Sequence, residues 1–272
     1  MTRAARLGEM TYAALAALLR DEAPVAALVP AGATEAHGPH LPLGTDTILA
    51  EGLAVEAARQ LAGRGVSAVV FPPVAYTVTT WAAGFPGTVG TEPEALRRTL
   101  TAVLERALDM GFAVAALVNA HLEPANVAVL RGVVEDLARH RGRPVVFADQ
   151  TRRRYAERLT EEFRSGSCHA GRYETSLVLA LAPELVDERV RAGLDAHHVP
   201  LHEHIAQGAT SFADCGLDRA YCGDPAAATA GEGRAVLARQ AAMTVEAVLA
   251  RLGDEAPRPP DGGAAPPPPE RD

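Results

Sequence analysis

A chain of 272 residues, 48% of them hydrophobic, can bury one large core or two small ones. Its formal net charge is −8, from 34 acids against 26 bases, which argues against a surface built to coat nucleic acid. Every base is arginine, so lysine Schiff-base and lysine general-base chemistry are excluded, and no apolar run reaches the roughly 18 residues of a membrane span.

The N-terminal stretch MTRAARLGEMTYAAL lacks the continuous apolar core of a signal peptide, and the expected location is cytoplasmic. VAALVP (25–30) reads as a short buried strand. It is followed by a loop, ATEAHGPHLPLGTD, stiffened by Gly38, Pro39, Pro42 and Gly44. A helix is expected over 45–65, starting at a threonine cap and stopping at glycine. A second strand, SAVVFPPV (67–74), precedes a helix over 91–111 with acids in its first turn. FAVAALVNA (112–120), a helix over 123–142 and PVVFAD (144–149) repeat the alternation. Helices are also expected over 174–186 and 227–252. Residues 187–226 have weak periodicity and read as a long functional or oligomer-facing loop region. From 254 to 272 the composition turns to proline, glycine and charge, as in a disordered tail after a single domain spanning 1–253.

Strands that are apolar on both faces and alternate with helices imply an α/β three-layer sandwich with a mostly parallel central sheet. In such sheets ligands bind beyond the carboxyl ends of the strands. The loop after strand 25–30 holds Glu35, His37 and Asp46, and the loop after strand 112–120 holds Asn119, His121 and Glu123, so both loops should open on one edge. Residues two apart in extended chain point the same way, so Glu35/His37 and His121/Glu123 can each offer two heads to one centre. Mixed carboxylate and imidazole suits zinc, manganese or iron. Five such groups exceed what one catalytic ion can use while keeping a position open for water, so two ions bridged by Asp46 fit the count. The chain's two asparagines, Asn119 and Asn126, both fall within NAHLEPAN, which points to a polar site there.

SCHAGRYETS (167–176) supplies His169, a candidate base, proton donor or packed loop histidine, and Glu174 at a helix start. HHVPLHEH (197–204) has no matching carboxylate partner and reads as solvent-facing or interfacial. Cys168, Cys215 and Cys222 form neither a CxxC pair nor a zinc ribbon, and are expected as free thiols.

The segments PAGATEAHGPHLPLGTDT, FPGT (85–88), NAHLEPAN, HAGRYETS and GDPAAATAGEGRAVLA resemble, in order and spacing, the motifs of the creatininase (creatinine amidohydrolase) family, over about residues 28–245. The resemblance implies a single-domain α/β fold, a homo-oligomer that is commonly hexameric, and a dinuclear centre that hydrolyses C–N bonds. It makes Glu35, Asp46 and His121 the ligands of one divalent ion and His37, Asp46 and Glu123 those of the other. His169 becomes the proton-handling residue, Glu174 its orienting partner or a support for a metal ligand, and His40 a brace for the loop. Leu122 stands where true creatininases have an aromatic, and Ser165, Gly166 and Cys168 stand where they have Trp, Asp and Glu. Creatinine is therefore not the expected substrate. A small amide, lactam or formamide is expected instead. The alternatives are a short peptide matured by the same chemistry, or a non-catalytic oligomeric scaffold, and a peptide-width cleft would favour the peptide.

Overall fold

Side-chain alternation in two adjacent strands sets the layers. All seven residues of Val25–Ala31 and all six of Val114–Asn119 are buried, as expected of strands covered on both faces. A computed structural model describes residues 4–255. Its elements in chain order are β1 (Ala5–Arg6), α1 (Tyr12–Leu18), β2 (Val25–Ala31), α2 (Thr45–Ala62), β3 (Ser67–Val70), α3 (Pro93–Asp109), β4 (Val114–Asn119), α4 (Pro124–Glu135) and β5 (Val145–Phe147). The C-terminal half adds α5 (Arg153–Ala156), α6 (Glu161–Ser165), α7 (Arg172–Leu181), α8 (Glu188–Arg191), α9 (Leu201–Ala206) and α10 (Ala230–Glu255).

The five strands run parallel in the order β1-β3-β2-β4-β5. Val25, Ala27 and Val29 pack on Leu96, Leu100 and Leu104 of α3 and Leu130 and Val133 of α4. Ala26 and Leu28 face the other way, onto Leu53, Ala57 and Leu61 of α2 and Ala241 and Val245 of α10. The result is the three-layer α/β sandwich. Burying each of the α3 leucines is worth about 1.5–3 kcal/mol, so this stripe is what holds α3 on the sheet.

The topology places the site. From β2 the chain passes to β3 on one side, then returns through α3 to β4 on the other. The loops after β2 and β4 therefore part at the carboxyl edge, with Ala31 and Asn119 paired in register at its brink.

Several boundaries differ from the sequence reading. The strand expected over 67–74 stops at Val70, because Pro72 and Pro73 have no N–H to donate. The helix expected over 174–186 runs instead over α7, and Ala182 leaves the helical region (φ −151°, ψ 63°) because Pro183 disfavours it there. The helix expected over 123–142 ends at Glu135 and passes into a π-turn over Asp136–His140. β1 and α1 are too short to register as periodicity. Residues 187–226 hold α8, α9 and two single 3-10 turns. The expected tail lies outside the described residues from 256 onward. Among the described residues, no helix is long and apolar enough to cross a membrane.

Candidate metal centre

Close packing brings Asp46 to the end of β2. The first turn of α2 lies so near Gly32 that a Cβ there would overlap the main chain of Asp46 and Thr47. With no side chain at 32, Asp46 enters α2 beside the strand end, where the helix N-terminus favours its negative charge. On the neighbouring loop, Asn119 Nδ2 and Asn126 Nδ2 both donate to His121 O, at 2.7 and 3.0 Å. The two asparagines thus fix the main chain that presents His121.

Three imidazoles are each tethered by one nitrogen to a backbone carbonyl. His37 Nδ1 lies 3.2 Å from Glu35 O, His121 Nε2 2.9 Å from Val78 O, and His169 Nε2 3.0 Å from Ala36 O. A carbonyl only accepts, so these nitrogens carry hydrogens and the opposite nitrogens keep lone pairs for a metal or a proton. Those lone pairs face carboxylates. His37 Nε2 is 3.1 Å from Asp46 Oδ1 and 3.6 Å from Glu174 Oε2, and His121 Nδ1 is 3.1 Å from Asp46 Oδ2 and 3.4 Å from Glu35 Oε1. His169 Nδ1 is 4.0 Å from Glu35 Oε1. Acceptor facing acceptor in a dry interior is stable only with a cation or a proton between them. Asp46 Oδ2, although buried, has no aligned hydrogen-bond donor. Anchoring one ring N–H on a backbone carbonyl is the usual way a metal-ligating imidazole is held in orientation.

The donor atoms form triads whose members all lie within 4.8 Å of one another: Glu35/Asp46/His121, His37/Asp46/Glu174 and Glu35/His37/His169. The first two share Asp46. The set therefore suits two divalent ions with a common carboxylate.

Electrostatics in the metal-free chain show how tightly the groups are coupled. Burial opposes charge on His37, but Asp46, Glu174 and Glu35 outweigh it and raise its pKa to about 10. Against the same penalty, Glu35 and Asp46 hold His121 well above its ordinary value. Burial disfavours the ionised forms of Asp46 and Glu35 as well, yet the facing imidazoles hold both below the usual carboxylate range. Glu174 goes the other way, pushed up to about 8 by burial and the charge of Asp46. Burial, then the charge of His37, pushes His169 down to about 4, leaving it a neutral imidazole near pH 7.

One residue of the expected ligand set lies outside these clusters. Glu123 joins none of the triads. Its carboxylate accepts from Thr80 N–H at 2.8 Å, Thr80 Oγ1–H at 2.7 Å and Trp81 N–H at 3.2 Å, and its closest imidazole atom, His121 Nε2, is 3.9 Å away and already committed to Val78 O. Glu174 takes the corresponding place beside His37 and Asp46. It also accepts from Ala170 N–H at 2.6 Å, which ties α7 to the His169 loop. Spacing along the sequence favoured Glu123 because it is two residues from His121. The turn into α4 instead swings it toward residues 80–81.

That 78–81 segment escaped the sequence reading. It supplies Val78 O to His121, a hydroxyl hydrogen bond from Thr79 to Glu35, and the side chain of Trp81 to the cleft wall. Its only signal was a threonine cluster, TVTTW, after a strand. His40 is buried, with Nε2 2.8 Å from Thr175 Oγ1, and joins no triad. None of His197, His198, His202 and His204 falls in a metal-competent cluster among the described residues. His197 instead pairs its backbone with Gly223.

Above the centre lies a cleft of about 440 Å³, whose floor includes Glu35, Asp46, His121, His169 and Glu174. Trp81, Leu122, Phe163, Leu201, Ile205 and Phe212 make its walls mainly apolar, and it reaches the exposed residues Pro124, Thr151 and Arg164. Of the four positions that depart from the creatininase pattern, Leu122, Gly166 and Cys168 line it.

The creatininase (creatinine amidohydrolase) family model matches residues 8–248. A "Mycofactocin precursor peptide peptidase" of Mycobacterium ulcerans (strain Agy99) is 32% identical over 243 residues, covering 85% of this chain and 86% of that protein. Another of the same description, from Mycolicibacterium smegmatis (strain ATCC 700084 / mc(2)155), is 34% identical over 218 residues, covering 78% and 79%. Among solved structures, a putative creatinine amidohydrolase from Bacteroides fragilis NCTC 9343 superposes with a TM-score of 0.70 at 24% identity, covering 91% of this chain and 98% of that one. One described as "Creatininase Mn" gives 0.68 at 21%, covering 92% and 99%.

Proposed function

The chain belongs to the creatininase family, and on that premise we propose that it is a dinuclear-metal hydrolase that cuts an amide C–N bond in a peptide. The observation that carries the metal reading is the pair of triads, Glu35/Asp46/His121 and His37/Asp46/Glu174, joined at Asp46 with lone pairs facing carboxylates. The mixed imidazole and carboxylate donors suit zinc, with manganese or iron as alternatives. Two such ions would supply Lewis acidity toward a carbonyl and lower the pKa of water.

The remaining work falls to this chain's side chains. Asp46 holds the two halves of the site at a fixed spacing. His169 is anchored through Nε2 on Ala36 O and is unprotonated at neutral pH, so Nδ1 can take the proton lost by attacking water and hand it to the departing amine. Phe212, whose ring centroid is 4.4 Å from that of His169, keeps bulk water from this face of the imidazole. Glu123 acts at a distance, clamping residues 80–81 so that Val78 O and Thr79 hold His121 and Glu35 in register.

Of the two substrate classes the sequence left open, the peptide is favoured over the small amide, lactam or formamide. The relatives at 31–34% identity are described as peptidases of a precursor peptide. The cleft also runs from the buried donors to exposed residues along apolar walls suited to successive side chains. The free thiols Cys168, Cys215 and Cys222 accord with a reducing cytoplasm, and a homo-oligomer is part of the same reading.

The test pairs elemental analysis of metal-replete protein with incubation against mycofactocin precursor peptide and a panel of small amides, lactams and formamides, read by mass spectrometry. Two ions per chain and cleavage of the peptide alone are expected. Fewer than about one ion per chain, with unchanged stability after chelation, refutes the dinuclear centre. Turnover of the small amides with the peptide left intact refutes the peptide assignment.

A further inference from the structure

Charge in the cleft is divided by depth. Its acids, Glu35, Asp46, Glu123 and Glu174, are buried at the floor, whereas the charged side chains nearer the surface are Arg131 and Arg164, with His202 on the same lining. Among the described residues no acidic side chain lines the outer wall, although the chain as a whole carries a net charge of −8.

The two arginines are not equivalent. Arg131 Nε donates to Asp149 Oδ2 at 2.7 Å and its Nη2 donates to Thr151 Oγ1 at 2.7 Å, so its charge is compensated and its fork is held. Arg164, exposed in the last turn of α6, makes no side-chain hydrogen bond or ion pair among the described residues. The acid two residues before it, Glu162, is committed elsewhere, accepting from Tyr173 N–H and Asp224 N–H at 2.8 Å each. Gly166 keeps this wall open. A Cβ at 166 would overlap His202 Nδ1, so the absence of a side chain lets the imidazole of α9 sit on the wall that Arg164 lines. Arg164 therefore offers an uncommitted planar fork at the mouth of an apolar cleft. The group that matches this fork in charge and in bidentate geometry is a carboxylate.

We propose that Arg164 is a specificity residue that binds a carboxylate of the peptide substrate while Phe163, Leu201 and Trp81 pack the neighbouring side chains. This rests on the peptide reading above. The carboxylate has two possible sources, the C-terminus of the peptide or an acidic side chain, and both present the same two oxygens to the guanidinium.

The experiment uses mycofactocin precursor peptide in three synthetic forms: unmodified, C-terminally amidated, and with every Asp and Glu replaced by Asn and Gln. Each is cleaved by the metal-replete wild type, Arg164→Ala and Arg164→Lys, with kcat and KM measured separately. Binding of fluorescein-labelled forms to metal-replete His169→Ala is followed by anisotropy. One of the two neutralised forms should lose roughly 10- to 100-fold in kcat/KM through KM, and that form identifies the source. Arg164→Ala should impose the same loss on the unmodified peptide and add nothing on the neutralised form. Arg164→Lys should recover only part, because an ammonium lacks the fork. Arg164 is exposed, and an unchanged Tm in both variants separates recognition from folding. Equal cleavage of all three forms, or an equal loss on all three in Arg164→Ala, overturns the Arg164 assignment and leaves the peptide reading standing. If no form is bound or cleaved, both fall together.

Discussion

Glu174→Gln separates the ligand set suggested by the structure from the one implied by the family resemblance. The substitution keeps the shape of the side chain and an oxygen to accept from Ala170 N–H, but it removes a carboxyl 3.6 Å from His37 Nε2 that can give up its proton to a metal. The metal-free fold should tolerate it, because Glu174 is already pushed up to about 8 and is largely neutral at pH 7. What remains of that triad is His37 and Asp46, below the three protein ligands of a catalytic zinc site. Residues that merely orient a ligand already cost about 10–100-fold in metal affinity. Loss of a directly facing carboxylate should therefore weaken one ion by at least about 100-fold, or about 2.8 kcal/mol. Elemental analysis after gel filtration should fall from two ions per chain to one, and activity should be lost. Glu123→Gln is the companion. Its amide oxygen can still accept from the Thr80 and Trp81 N–H groups and its amide nitrogen can donate to Thr80 Oγ1, so only the charge assistance of these bonds is lost; it should lower stability by about 1 kcal/mol and keep both ions. Loss of an ion from Glu123→Gln together with retention of both in Glu174→Gln would refute the reasoning and restore the assignment implied by the family resemblance.

Four further outcomes are expected. Asp46→Ala should remove both ions, because both triads use that carboxylate, and one fully bound ion in the variant would count against the bridge. Metal binding should release protons near pH 7, because His37 (about 10), His121 and Glu174 (about 8) hold protons in the metal-free chain that a metal must displace. Apparent affinity should then rise with pH by about tenfold per pH unit for each proton released, which calorimetry in buffers of different ionisation enthalpy will show. Chelated protein should behave in the opposite sense. The raised pKa values of His37 and Glu174 stabilise the fold at low pH, and that stability is lost between 4.5 and about 8 for Glu174 and between 6.5 and about 10 for His37, so Tm should fall as pH rises across these ranges. Gly233→Ala should cost at least about 2 kcal/mol in chemical denaturation without altering metal content, since a Cβ there overlaps Ser176 O where α10 crosses α7.

Apolar strands punctuated by capped helices were enough to read the layer order, because strands buried on both faces leave no polar alternation. The first motif was legible for a related reason: acids, histidines, prolines and glycines crowded after a strand have few uses besides a site. Glu35, His37, Asp46 and His121 were singled out on that basis and converge in the structure. The fate of Glu123 and Glu174 was not legible. Both follow a histidine and open a helix, and which acid turns inward depends on how α4 and α7 leave their loops. The same holds for Val78 O, Thr79 and the uncommitted fork of Arg164, contributed from segments far apart in sequence. The sequence by itself determined that a parallel sandwich presents paired carboxylates and imidazoles at one strand edge, because periodicity and residue chemistry are local properties. Only the tertiary structure decided which acids meet which imidazoles and that Arg164 reaches the cleft uncommitted, because those outcomes are set by packing distances between elements that no spacing along the chain encodes.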